Sequence, residues 1–187
     1  MHIERTDLPG VLIVTPRRFG DARGFFAETW NRRAFAAAGL DLPDFVQDNH
    51  SLSHEAGTLR GLHFQAPPAA QGKLVRCGQG ALLDVCVDIR RGSPSYGRWT
   101  AVELSAANGR QIWVPPGFLH GFVTRAPDTE IIYKCTEYYA PETEGAVLWS
   151  SLGIDWGLLG APILSDKDAA AVPFDRFDSP FVWQEEM

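Results

Sequence analysis

The stretch "GTLRGLHFQAPPAAQGKLVRCGQG", residues 57–80, places Arg60, His63 and Lys73 among Leu59, Leu62, Phe64, Leu74 and Val75. The apolar members suit buried strands. Cations do not, because a buried charge without a partner costs free energy. Such side chains are expected to line a pocket and face a bound anion. An imidazole is the side chain best suited to moving a proton near neutral pH. An ammonium suits an anionic substrate or intermediate. In a regular strand, Arg60 and His63 would point to opposite faces. A bulge at Gly61 would re-aim one of them; alternatively Arg60 sits at the strand end.

The elements around this stretch are short and β-rich. Strands are expected at 11–15, 24–30, 59–64, 73–77, 81–89, 98–104, 110–114, 121–125 and 129–139. "ANG" at 107–109 is a hairpin signal. The one clear helix is "NRRAFAAAG", 31–39, with Asn31 as N-cap and Gly39 as its stop. "SDKDAAA", 165–171, reads as a helical turn. Many short strands at this spacing predict a sandwich or barrel. A length of 187 residues suits one domain, 1–187, with a sizeable core.

Bulk properties exclude several functions. The net charge of −6, without a basic run, argues against nucleic acid as a partner. No apolar run approaches a membrane span, and "MHIERTDLPG" is too polar for a signal peptide. Cys77, Cys86 and Cys135 are odd in number and lack CxxC spacing. They are expected to be reduced, buried thiols in a cytoplasmic protein.

Two spaced patterns add specificity. Gly109, five residues and "PPGFLH" ending at His120 resemble the second signature of the cupin superfamily. Gly57, five residues and His63-Phe64-Gln65 resemble the first, whose core is H-x-H followed by a glutamate. Metal-binding cupins use both of those histidines, the glutamate and the later histidine. Here Gln65 holds the second histidine position, and the glutamate position falls on Ala69 or Ala70. A catalytic divalent-metal site needs about three good protein ligands. The pocket is therefore expected without a metal, and Lys73 would repel one.

Seven ordered stretches narrow the resemblance: "DARGFFAETWN" (21–31), "FVQDNHSLS" (45–53), "GTLRGLHFQ" (57–65), "QGKLVRC" (71–77), "VPPGFLHGF" (114–122), "YKCTEYYAPETE" (133–144) and "PILSDKDAA" (162–170). They resemble the dTDP-4-dehydrorhamnose 3,5-epimerases over nearly the whole chain. The resemblance implies an all-β, cupin-type jelly roll with a few short peripheral helices, dimeric and cofactor-free. It implies action on a dTDP-linked 4-keto-6-deoxy sugar, inverting C3 and C5. Inversion at only one of these carbons is the near rival. A metal-dependent cupin enzyme and a non-catalytic sugar- or nucleotide-binding cupin are the more distant rivals.

The residue chemistry fits that reading. The C–H bonds beside a ketone are acidic. Epimerisation needs a base on one face, an acid on the other and a cation at the enolate oxygen. His63 is the candidate base, Lys73 the oxyanion partner and Tyr133 the acid. The resemblance implies an aspartate behind His63, and of Asp166 and Asp168 the S-x-K-D pattern favours Asp168. It also implies Phe19 and Tyr138 stacking on thymine. Glu28, Gln47 and Asn49 would bond the base or sugar, Arg23 and Arg60 the pyrophosphate, and His120 the sugar or phosphates. In a dimer, Arg23 would be contributed to the pocket of the partner chain.

Overall fold

The computed structural model describes residues 1–184, so the last three residues of the expected 1–187 domain lie outside the described residues. Two antiparallel sheets stack face to face, as expected of a jelly roll. The first holds β1 (His2–Arg5), β2 (Leu12–Thr15), β10 (Gln111–Val114), β7 (Lys73–Gln79), β12 (Thr129–Cys135) and β5 (Gln47–Ser53), in that order. The second holds β13 (Glu144–Ala146), β6 (Leu59–Gln65), β11 (Phe118–Thr124), β8 (Ala81–Asp88) and β9 (Trp99–Ser105). A separate hairpin pairs β3 (Arg18–Asp21) with β4 (Gly24–Ala27).

The helices are short. α1 (Arg32–Ala37) starts where Asn31 accepts a hydrogen bond from the Ala34 amide at 3.1 Å. Gly39 follows its end at φ +85°, a conformation glycine adopts without steric cost. α2 (Asp166–Ala169) is capped by Ser165, whose hydroxyl accepts from the Asp168 amide at 3.1 Å. Expected strands 24–30 and 129–139 end earlier, at Ala27 and Cys135. β1, β3, β5 and β13 were not expected.

Strand alternation builds three apolar layers. Val75, Cys77, Leu82, Cys86, Ile112, Phe122 and Ile131 meet between the two sheets. Leu59, Leu62, Leu83, Val85, Val87, Leu119 and Val123 turn to the outer face of the second sheet, under Val147, Trp156 and Phe181. Phe35 of α1 packs with Val14, Leu74 and Trp113 on the outer face of the first. The side of β7 that faces inward therefore reads Lys73, Val75, Cys77, and that of β12 reads Ile131, Tyr133, Cys135. At one end of the sandwich the inter-sheet layer turns from apolar to polar, and the cavity lies there.

The bulge, rather than a strand end, resolves the Arg60–His63 spacing. His63 pairs with His120 and Arg60 with Phe122, so Gly61 and Leu62 together oppose Gly121. This extra residue lets Arg60 and His63 line one cavity. Gly61 sits at φ +124°, and a Cβ there would lie 2.6 Å from Gly121 Cα and 2.9 Å from the His120 carbonyl oxygen. Gly61→Ala is expected to destabilise the fold by about 3 kcal/mol and to lower activity, read from thermal melts and turnover. A native melting temperature for the variant would contradict this role of the bulge.

Candidate active site

The cavity has two lobes, of about 250 and 220 Å³, which share His63, Lys73 and Tyr133. Gln47, Asn49, Gln71, Tyr139 and Glu144 line the first lobe. Ser51, Arg60, His120 and Phe122 line the second. His63 and His120 come from neighbouring strands of the second sheet, whereas Lys73 and Tyr133 come from neighbouring strands of the first. The imidazoles and the Lys–Tyr pair thus stand on opposite walls.

His63 is held from behind. Its Nε2 lies 2.5 Å from Asp168 Oδ1, and the Asp168 side chain is 4% exposed. Asp166, by contrast, is exposed on α2. With Nε2 engaged, Nδ1 is the ring atom left for a substrate. Burial pushes the His63 imidazole below its ordinary pKa, against the opposing pull of Asp168. The ring is therefore neutral, and able to accept a proton, through the neutral pH range.

Lys73 is half-buried at the junction of the lobes. No carboxylate forms an ion pair with it among the described residues. Burial lowers its pKa from 10.5, and the carboxylates of Glu144 and Asp84 oppose that shift. Tyr133 moves the other way: burial raises its phenol above 10, with Arg60 opposing. The phenol keeps its proton and can donate it.

These directions set a pH profile. Activity should fall on the acid side as His63 takes a proton, at a pH below its ordinary 6.5. On the alkaline side the limb is assigned to Lys73, which loses its proton below 10.5, whereas Tyr133 is shifted to above 10. In Lys73→Arg, whose guanidinium stays charged, the alkaline limb should move to higher pH even though turnover drops. An alkaline limb left in place would assign it to another group.

Gln65 has a structural task. Its amide nitrogen donates to the carbonyls of Ala69 and Tyr138, the latter at 2.9 Å, and its oxygen accepts from the Ala140 amide at 3.0 Å. Both ends of the amide are committed to backbone. Among the described residues, no group of three or more His, Cys, Asp or Glu gathers as a metal cage.

Other expected residues separate into two groups. Gln47, Asn49, Arg60 and His120 line the cavity. Arg60 donates to the Ser53 hydroxyl and the Leu52 carbonyl, both at 3.3 Å, and among the described residues no carboxylate pairs with it. Phe19, Arg23 and Glu28 line neither lobe of their own chain. Phe19 is on the β3–β4 hairpin, Arg23 at its turn and Glu28 just after it. Arg23 is paired with Asp21 at 2.5 Å, and Phe19 is 52% exposed. Tyr138 is 63% exposed, next to the first lobe through its carbonyl bond with Gln65.

Three charged residues were missed. Glu144 reaches the first lobe, where Lys167 lies 2.6 Å from its Oε2 and Tyr139 donates to the same oxygen at 2.8 Å. Burial disfavours its charge, but these two partners prevail and hold it below the usual carboxylate range. Asp84, fully buried in β8, contacts His120. Lys167 shares with Asp168 the pattern "SDKD", which pointed only at the acids. Asp84 had a signal, a carboxylate inside the apolar run "ALLDVCVDI".

Comparison with known proteins decides the family. The family model described as dTDP-4-dehydrorhamnose 3,5-epimerase matches residues 5–176. The chain belongs to this family. It is similar to the Salmonella typhimurium dTDP-4-dehydrorhamnose 3,5-epimerase, 51% identical over 94% of this chain and 97% of the relative. The Pseudomonas aeruginosa enzyme of the same name is 50% identical over 95% and 98% of the two chains. Among solved structures, the Legionella pneumophila dTDP-6-deoxy-D-glucose-3,5-epimerase in complex with dTDP-4-keto-L-rhamnose superimposes with a TM-score of 0.92. It is 42% identical and covers 98% of both chains.

Proposed function

We infer that this member of the epimerase family converts dTDP-4-dehydro-6-deoxy-D-glucose to dTDP-4-dehydro-L-rhamnose, inverting C3 and C5. The observation that carries the reading is the placement of His63 on one wall of the cavity and Tyr133, with Lys73 on the neighbouring strand, on the other. His63 removes the proton beside the carbonyl, oriented by Asp168. Lys73 faces the enolate oxygen, where charge develops as the C–H bond breaks. Tyr133 returns a proton from the other wall. The reaction is redox-neutral, so these side chains supply all it requires.

The remaining pocket residues bind the substrate. Gln47 and Asn49 bond the base or sugar, Arg60 and His120 the sugar and phosphates, and Tyr138 stacks on thymine. Phe19, Arg23 and Glu28 act across a homodimer interface. Support comes from the β3–β4 hairpin, which exposes Phe19, Phe25 and Phe26 and stands outside its own cavity. A monomeric mass in sedimentation would remove this part of the reading. The enzyme works in the cytoplasm, in keeping with three free, buried cysteines.

The test is turnover of the 4-keto-6-deoxy nucleotide sugar by protein treated with EDTA, with product stereochemistry read by proton NMR. The expected product is inverted at both carbons at an undiminished rate. Inversion at C3 alone or C5 alone would make the chain a monoepimerase. Loss of turnover restored by one specific metal would contradict the mechanism.

A further inference from the structure

Asp84 sits in the middle of β8, on the face where Leu82 and Cys86 join the core between the sheets. Its relative exposure is 0%. A carboxylate buried this deeply requires a partner. Its two oxygens lie 3.0 and 2.9 Å from His120 Nε2, and among the described residues no other side chain hydrogen-bonds to it. His120 is itself only 11% exposed at the side chain.

The arrangement parallels that of His63. The two histidines are direct cross-strand partners on β6 and β11. Each is gripped at Nε2 by a buried carboxylate from a third element, α2 for His63 and β8 for His120. We propose that Asp84 is a positioning residue that fixes the ring orientation and tautomer of His120, holding the proton on Nε2 and presenting Nδ1 to the substrate. The inference rests on the epimerase reading for what binds there, but the Asp84–His120 pairing stands apart from it. A carboxylate can only accept, so of the two neutral tautomers it permits only the one protonated at Nε2. An asparagine can donate or accept, so Asp84→Asn removes the constraint at nearly constant volume.

The kinetic test is a double-mutant cycle on kcat/KM. Asp84→Asn should lower it by about 10–100-fold, the range for groups that orient a functional imidazole from behind. If Asp84 acts through His120, Asp84→Asn combined with His120→Asn should lose no more than His120→Asn alone. Losses that multiply would assign Asp84 an independent, structural role and overturn the proposal. Ring-nitrogen NMR of the native protein provides a test that does not depend on the variants folding well. Assigned by difference from His120→Asn, His120 should carry its proton at Nε2. A proton found at Nδ1 alone would overturn the proposal even if the kinetics agreed. Should the native protein fail to invert the sugar, the epimerase reading falls, while the nitrogen spectrum still decides the pairing.

Discussion

Replacing His63 with alanine should lower turnover by about 10²–10⁴-fold, the usual cost of removing a general base, while nucleotide binding stays nearly intact. The ring lies at the junction of the two lobes, and its Nε2 is occupied by Asp168. Deletion therefore removes the proton acceptor and leaves Gln47, Asn49 and Arg60 in place. Deuterium exchange from solvent into the sugar should vanish together with inversion. Asp168→Asn should give a milder loss, because that carboxylate orients the imidazole and stabilises its charged form after proton transfer. An Asp166→Asn variant should behave almost as the native protein, since Asp166 is exposed. If the His63→Ala variant washed deuterium into C3 at close to the native rate, the base would be another group.

Tyr133→Phe should separate two halves of the reaction that His63→Ala abolishes together. A base that returns the proton to the face it left regenerates substrate, so inversion needs a donor from the other wall. The phenol lies on β12 among the inward-facing Ile131 and Cys135, and burial keeps it protonated. Phenylalanine retains the ring and deletes only the hydroxyl. His63 and Lys73 should still form the enolate, so exchange should continue. Inverted product should fall by about 10²-fold or more, at C5 more than at C3. Native rates of both exchange and 3,5-inversion would reduce Tyr133 to a packing residue. An equal loss of exchange and inversion would instead place it in enolate formation.

Much of this architecture was legible in the chain because it rests on local rules. The Asn31 cap, the Gly39 stop and the inward apolar residues of β7, β8 and β12 are all visible as spacing. β5 was not, and the reason is functional. Its residues alternate correctly, but the inward ones are Gln47, Asn49, Ser51 and Ser53, while Leu52 points outward at 41% exposure. A strand that lines a wet cavity inverts the pattern by which strands are recognised. The bulge at Gly61 could be suspected from a glycine between two functional residues, yet its register needed the partner strand.

The candidate catalytic residues are legible from motif positions, and the carboxylate contacts less completely so. Asp168 could be chosen over Asp166 only by pattern, and the distance to His63 supplies the geometric reason. Asp84 lies thirty-six positions from His120 in the chain, so its partner depends on the pairing of β8 with β11, which no local signal specifies. Phe19, Arg23 and Glu28 show the converse limit. Their motif points to a binding site, yet the three line neither lobe of the cavity.

The most direct test of the central claim, two proton abstractions flanking one carbonyl by His63 and reprotonation from the opposite wall, is a time course in deuterated water. Native protein would be mixed with dTDP-4-dehydro-6-deoxy-D-glucose, and proton NMR would follow C3 and C5 separately. The account predicts deuterium at both carbons, both inverted in the product, and no exchange elsewhere in the sugar ring. Inversion without solvent deuterium at either carbon would contradict the account, because a base and an acid on opposite walls cannot pass the same proton between them.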